Sequence, residues 1–388
     1  VVVAIVLFVG GFWKAQDMKI GDSEAGVPEL RSTARYNQDA LLISERFSLG
    51  VDLLTVIAET IPDACTENYE VMEAIDHFAW HLANVPGVQK VITLPMAVKV
   101  VNAGWNEGNI KWRILPRDRY ILRQALSSIP TDTGLRNDDC SAIPILVFTT
   151  DHKAETIVTI VDAVKRLREG EHVDDLEFEL EHPDLEALAD ELGEISADQL
   201  RFRLATGNVG VMAATNENVK AAKNPMLALV FGSIIVLCLL TYRTVLGTLA
   251  IVLPLVVVST LAEALMATYG IGLKVNTLPV VALGVGIGVD YGIYIFNRLR
   301  MELADGHKLT DAYYRTLRLT GRAVIFTGFT LATGVGTWIF STLQFQADMG
   351  ILLCFIFLAN MVGAIVLLPA LVRLLVVRNK EQEDSTGS

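Results

Sequence analysis

Cysteine, histidine and basic residues are scarce in this 388-residue sequence, which has four Cys, six His and 32 Lys+Arg against 44 Asp+Glu. Four cysteines in so long a chain exclude a small disulfide scaffold. A net charge of −12 without a basic cluster argues against nucleic acid as a partner. A nucleophile elbow, a Walker loop and a coherent dinucleotide-binding turn are all missing, so nothing supports ATP hydrolysis or another enzyme activity, and no cofactor is expected. What is abundant is apolar: 52% of residues are hydrophobic and the mean hydropathy is +0.43, which excludes a disordered chain.

The charge is unevenly spread. Residues 14–224 hold 21 Lys+Arg and 35 Asp+Glu, a balance of −14, whereas the flanks are long apolar runs. The pattern is that of an acidic soluble domain attached to a membrane domain. Five runs approach or exceed the ~20 residues that cross ~30 Å of hydrocarbon as a helix. They are Pro225–Tyr242, with the proline as helix start, Val245–Tyr269, Thr277–Phe296, Ala323–Leu343 and Met349–Leu375. Val1–Trp13 is too short alone and begins without Met, basic residues or a cleavage site, so it reads as a truncated transmembrane helix of a longer protein. The expected segments are therefore residues 1–13, 14–224, 225–378 and a tail 379–388.

Arg298, Arg300, Lys308, Arg315, Arg318 and Arg322 crowd the connection after the third complete helix, and Arg373, Arg378 and Lys380 the tail. Basic residues near helix ends stay cytoplasmic, which places the acidic domain on the opposite side, the periplasm in a bacterium. Cys65 and Cys140 lie in that exported domain and are a candidate disulfide, although pairing is not readable from sequence. Cys238 and Cys354 lie in apolar helices as small hydrophobes.

Within the domain, Ser48–Thr60, Asn68–Ala83 and Val88–Thr93 read as strand, helix and strand, and Ala142–Thr149, Lys153–Arg168 and Leu200–Ala205 repeat the order. Two βαβ units are expected. Between them, Trp105, Trp112, Arg113, Arg117, Arg119 and Arg123 fit a connecting helix with snorkelling arginines better than a substrate surface. Glu169–Asp198 is an acidic stretch without a calcium-loop pattern, read as a solvated insertion. His77 and His81 stand at i, i+4 but lack the HExxH glutamate and a third ligand, so packing is the expected role and no metal site is assigned.

Asp290 is the most informative residue, set in VVALGVGIGVDYGIYIFNR of the third complete helix. A central Asp costs about 2.5–3.5 kcal/mol on insertion scales, so such acids face protein, water or a partner and mark proton relays. The alternative is a hydrogen-bonded carboxyl that fixes helix packing. Gly284, Gly288 and Gly292 recur every four residues and open one face to close helix approach. Tyr291 either bonds across an interface or presents an aromatic face. Glu263 is either a second proton carrier or a hydrated group near the outer interface. Thr327, Thr330 and Thr333 offer hydroxyls toward Asp290 or back-bond to their own helix. Asn360 and Asp348 are weaker candidates.

This order, an entry helix, a large α+β domain and five helices with GVGIGVDYGIYIFNR in the third and TGRAVIFTGFT after the basic connection, resembles one half of an RND-superfamily transporter. It is most similar to the MMPL-type hydrophobe exporters, with Patched and Niemann–Pick relatives. The resemblance implies an α-helical membrane bundle of six helices, the first truncated, plus an exported porter-like α+β domain. It further implies export of lipids or other hydrophobic molecules driven by the proton motive force, through Asp290 and Tyr291, in a multi-pass inner-membrane protein with a large periplasmic domain. The partners implied are protons, the membrane, a lipid or other hydrophobic substrate, the missing homologous half and a homo-oligomer, and the present segment resembles the C-terminal half. Two alternatives stand beside it: a sterol-sensing-like lipid-binding or regulatory module, and a protein-export accessory of the same superfamily.

Overall fold

The computed structural model describes residues 1–22, 26–27, 29–47, 49–169 and 200–377. The acidic insertion from 170 to 199 and the tail from 378 onward lie outside the described residues. The chain divides into two compact units, Arg35–Ala214 and the remainder.

The chain opens with the apolar helix α1 (Val2–Ala15). The first unit then comprises α2 (Arg35–Arg46), β1 (Asp52–Thr60), α3 (Ala64–Glu67), α4 (Tyr69–Ala83), β2 (Val88–Ile92), α5 (Leu94–Trp105), α6 (Arg119–Ser127), β3 (Ala142–Thr149), α7 (Ala154–Glu169) and β4 (Leu200–Thr206). Its sheet runs β2-β3-β1-β4 and every pairing is antiparallel. The strands expected to flank one helix are therefore not neighbours: β3 separates β1 from β2, and β1 separates β3 from β4. Strict alternation of buried residues along β3 turns Ile143, Ile145 and Val147 toward α4 and α7, where Ile75, Phe78, Leu82, Ile157 and Ile160 complete the core. Phe78 stacks on Phe202 with ring centroids 4.0 Å apart. Helix starts are set by side-chain caps, Asn68 for α4, Thr93 for α5 and Asp118 for α6, each accepting from backbone N–H groups of the first turn. The tryptophan and arginine stretch is not one connecting helix: Trp105 ends α5, Trp112 lies in a 3-10 turn, Arg113 and Arg117 lie in the connection, and Arg119 and Arg123 lie in α6, with Arg117 over the Tyr69 ring at 5.6 Å and Arg123 paired with Glu67.

Cys65 and Cys140 are joined as a disulfide, Cα–Cα 5.8 Å, which ties α3 to the loop before β3. In that loop Asp139 accepts from the Ser141 hydroxyl and N–H, and these bonds hold its carboxyl below the usual range. A polar triad of buried His152 and Asp52 with exposed Asn208 closes the other end of the sheet. His152 Nδ1 lies 2.9 Å from Asp52 Oδ1, Asn208 Nδ2 donates to the same oxygen at 3.1 Å, and Asn208 Oδ1 accepts from Leu53 N.

The second unit holds most of α8 (Asn208–Tyr242) together with α9 (Val245–Tyr269), α10 (Leu278–Ala304), α11 (Leu309–Thr316), α12 (Arg322–Gly336), α13 (Gln344–Val362) and α14 (Leu368–Val372). Among the described residues, five helices or continuous helical runs are long and apolar enough to cross a membrane: α8, α9, α10, Leu309–Phe340 and Gln344–Leu375. The last two run through π turns at Leu317–Gly321 and Gly363–Leu367. Pro225 does not start α8 but sits inside it. The preceding Lys220, Ala221, Ala222 and Lys223 favour helix, and the single N–H that proline lacks does not stop the run. α9 ends at Gly270, φ +68°, a left-handed cap that other residues adopt at a cost.

Residues 14–34, expected with the acidic domain, belong to the helical unit. Gly21 N donates to Leu273 O, Gln344 N to Glu29 O, and the Arg31 guanidinium to the carbonyls of Ile339 and Ser341. α1 lies on α9, where Gly11 lets Leu261 approach.

Candidate functional site

At about 100° per residue, α10 divides into two opposed stripes. Gly284, Val285, Gly288, Gly292, Ile295 and Leu299 are buried and lie within roughly 100° of arc. Leu283, Gly286, Asp290, Tyr294, Asn297 and Met301 are exposed and occupy the opposite side. Asp290 thus stands near the middle of a 27-residue apolar helix and points away from the rest of its own bundle. Among the described residues it has no hydrogen bond or ion pair.

The glycines account for the buried stripe. A methyl on Gly284 would overlap Ile356, one on Gly288 would overlap the Asn360 carboxamide, and one on Gly292 would stand 3.2 Å from Ile251. Ile356 and Asn360 are four residues apart on α13, so two i, i+4 rows interlock without intervening side chains. Asn360 is 3% exposed and its Nδ2 donates to Gly284 O at 2.8 Å. Tyr291, next to Asp290, turns inward and is 2% exposed.

The remaining candidates stand apart from Asp290. Glu263 is ion-paired with Lys223 of α8 at 3.0 Å, a partner the sequence reading did not identify. Thr330 donates to Phe326 O at 2.8 Å, the ordinary back-bond, and Thr327 and Thr333 are exposed on α12, which packs on α13. Asp348 is buried and accepts from Gln344. At the far end of α10, Glu302, Asp305 and His307 bring ligand atoms within 4.8 Å of one another. Arg298 already neutralises Glu302 at 2.6 Å, and a cation there would have to compete with that guanidinium. In the sheet-bearing unit, His77 and His81 line a cavity of about 530 Å³ with Trp80, Met96 and the ion pair Asp76–Lys99.

Five helical runs long and apolar enough to span, a glycine-lined helix contact and an acid at mid-helix define the class of multi-pass membrane proteins. The MMPL family model matches residues 179–385, more than half of the sequence, and the chain belongs to the MMPL family. It is 22% identical to the membrane protein MJ1562 of Methanocaldococcus jannaschii over 83% of this chain and 77% of that protein. It is 32% identical to the membrane protein SCO6666 of Streptomyces coelicolor over 32% of this chain and 19% of that protein. With the trehalose monomycolate exporter MmpL3 of Mycolicibacterium smegmatis it shares 30% identity over 35% of this chain and 13% of the exporter. The matched stretches thus span under a fifth of the length of SCO6666 and of MmpL3.

Proposed function

We propose that this chain is part of a proton-driven exporter of lipids or other hydrophobic molecules, in which Asp290 takes up and releases the coupling proton. The observation that carries the reading is the position of Asp290, unpartnered at the middle of α10 and facing outward from its own helices. A carboxyl at that depth is tolerated against protein or water and not against lipid tails, so a second bundle belongs over this face. The homologous half of an RND-type transporter has the right chemistry to cover it. An uncharged acid is held in low-dielectric surroundings at less cost than a carboxylate, and a change in what covers the carboxyl changes those surroundings. Coupling then amounts to alternating that cover. The kinship with an exporter of trehalose monomycolate supports a lipid as cargo.

Tyr291 flanks the acid from the buried side. Glu263 and Thr330 join the relay only on releasing Lys223 and the Phe326 carbonyl, and Thr327 only if a second bundle brings it toward Asp290. The acidic domain, read as two interleaved βαβ units on the exported side, receives cargo and does not cleave it.

Asp290→Asn in the intact protein is expected to abolish transport driven by a pH gradient in proteoliposomes. Stability should stay within about 0.5 kcal/mol, because no partner in the chain loses a bond. Gradient-driven transport at the wild-type rate by this variant would refute the assignment.

A further inference from the structure

Residues 105–123 are a basic island in the acidic unit: five Lys+Arg stand against two Asp+Glu, a balance of +3, where residues 14–224 as a whole carry −14. Three of the five cations are engaged within the unit. Arg117 lies over the Tyr69 ring, Arg119 over the Tyr120 ring at 5.0 Å, and Arg123 pairs with Glu67. The side chains of Lys111 and Arg113 are exposed and have no ion pair, ring contact or hydrogen bond among the described residues. Around these two cations the surface is apolar. Ile110 is 81% exposed, and Trp105, Trp112 and Ile114 are exposed as well. A single apolar side chain in water is ordinary, but a cluster of them marks a contact surface.

The loop that carries this cluster is held in place. Asn102 of α5, 6% exposed, donates through Nδ2 to the carbonyls of Trp112 at 2.9 Å and Ile114 at 3.2 Å. Asn106 Nδ2 donates back to Asn102 O, Asn109 Oδ1 accepts from Lys111 N, and Leu115 enters the core just beyond. A buried carboxamide committed to two loop carbonyls fixes the backbone, so the apolar side chains are presented by a built scaffold and little ordering remains to be done on binding.

The mixture of side chains identifies the occupant. Along residues 110–114 the order is Ile-Lys-Trp-Arg-Ile, apolar and cationic by turns. A protein partner keeps charge out of the centre of its contact and leaves it on the rim. The boundary of a bilayer takes both at one depth, because Trp and Ile settle among headgroups and upper acyl chains while Lys and Arg reach for phosphates. The acidity of the rest of the unit does not prevent this. Exposed charges are screened beyond about 8 Å at physiological salt, so the cations in the contact decide. We infer that residues 105–114 are a docking site for the anionic headgroup layer of a phospholipid bilayer, with Ile110 and Trp112 entering the interface and Lys111 and Arg113 on lipid phosphates. Asp290 has no part in this, and its coupling role would survive the failure of the docking site.

The test places an environment-sensitive fluorophore on Ile110→Cys, in a Cys354→Ser background of the intact protein held in phosphatidylcholine nanodiscs. Vesicles of phosphatidylcholine, alone or with about 30% phosphatidylglycerol, are added, and the nanodisc lipid is varied in the same way. Phosphatidylglycerol in either place is expected to shift the emission to the blue and to bring the probe within reach of lipid-borne quenchers, and added NaCl to weaken both effects. Lys111→Gln with Arg113→Gln should lower the apparent affinity for the anionic lipid about thirtyfold, about fivefold for each cation removed. Trp112→Ala keeps the charge and should weaken binding as well. These side chains are exposed, so the variants are expected to unfold at the wild-type temperature, which the same samples check. A probe indifferent to both lipids overturns the inference, as does an equal response to phosphatidylcholine alone or one that the double substitution leaves unchanged. A probe that answers to polyglutamate and not to phosphatidylglycerol also overturns it, and assigns the loop to an acidic protein.

Discussion

Gly286 and Gly288 stand two residues apart on α10 and meet opposite surroundings. A methyl at 286 finds nothing within 4 Å, whereas one at 288 overlaps the Asn360 carboxamide. Gly288→Ala is therefore expected to destabilise the helical unit by about 1–3 kcal/mol, the cost of overpacking a closed contact. Gly286→Ala should be neutral or slightly stabilising, since alanine is the better helix former. Thermal unfolding of both variants in the same detergent checks the contrast, and equal losses would show that the glycine stripe is not a packing surface. Residue identity made the glycine periodicity visible in advance, because missing side chains at every fourth position have one geometric meaning. The role of Asn360 was not visible, because its partner is a backbone carbonyl 76 positions away in an otherwise apolar run. Glu263 illustrates the same limit. Its carboxyl was conspicuous in the sequence, but Lys223 lies on a different helix and nothing in the spacing joins them.

At the scale of elements, hydropathy located all five spans, because twenty apolar residues in succession leave few alternatives. It set their ends less well. α8 extends from Asn208 through polar residues that carry no membrane signal, and α10 runs to Ala304 past the arginines. Local periodicity likewise found every strand of the sheet, but strand order depends on long-range pairing that no local pattern encodes. The disulfide belongs to this scale, since it closes a loop across 75 positions that contains α4, β2, α5 and α6. Chain-entropy arguments give a loop of that length on the order of 4 kcal/mol, with measured cases more often 2–4. Cys65→Ser with Cys140→Ser is expected to lower the unfolding midpoint of the sheet-bearing unit, followed through Trp80, Trp105 and Trp112, and to leave the helical unit unchanged. A midpoint identical to wild type under oxidising conditions would show that the bond adds nothing to stability.

For the whole molecule, the decisive asymmetry is electrical. Six basic residues cluster from the last turns of α10 to the first residue of α12, while the acidic unit carries most of the negative charge. Short loops rich in Lys and Arg remain on the cytoplasmic side, so under the proposed coupling a proton bound for Asp290 would enter from the opposite side of the membrane and leave toward the arginines. Lys111 and Arg315 are both exposed and sample the two sides. The native thiols interfere little: Cys65 and Cys140 are bonded, Cys238 is buried, and Cys354 is half-buried and replaceable by Ser. Lys111→Cys in such a background is expected to react with a membrane-impermeant maleimide in intact cells, and Arg315→Cys only after the membrane is opened. The reverse pattern would invert the sidedness and with it the direction in which a proton gradient performs work on cargo. Labelling of both positions from one side would be more damaging. An odd number of spans separates Lys111 from Arg315 if α8, α9 and α10 all cross, so same-side labelling would mean that one of these three helices does not traverse the bilayer, and mid-membrane depth for Asp290 would lose its support.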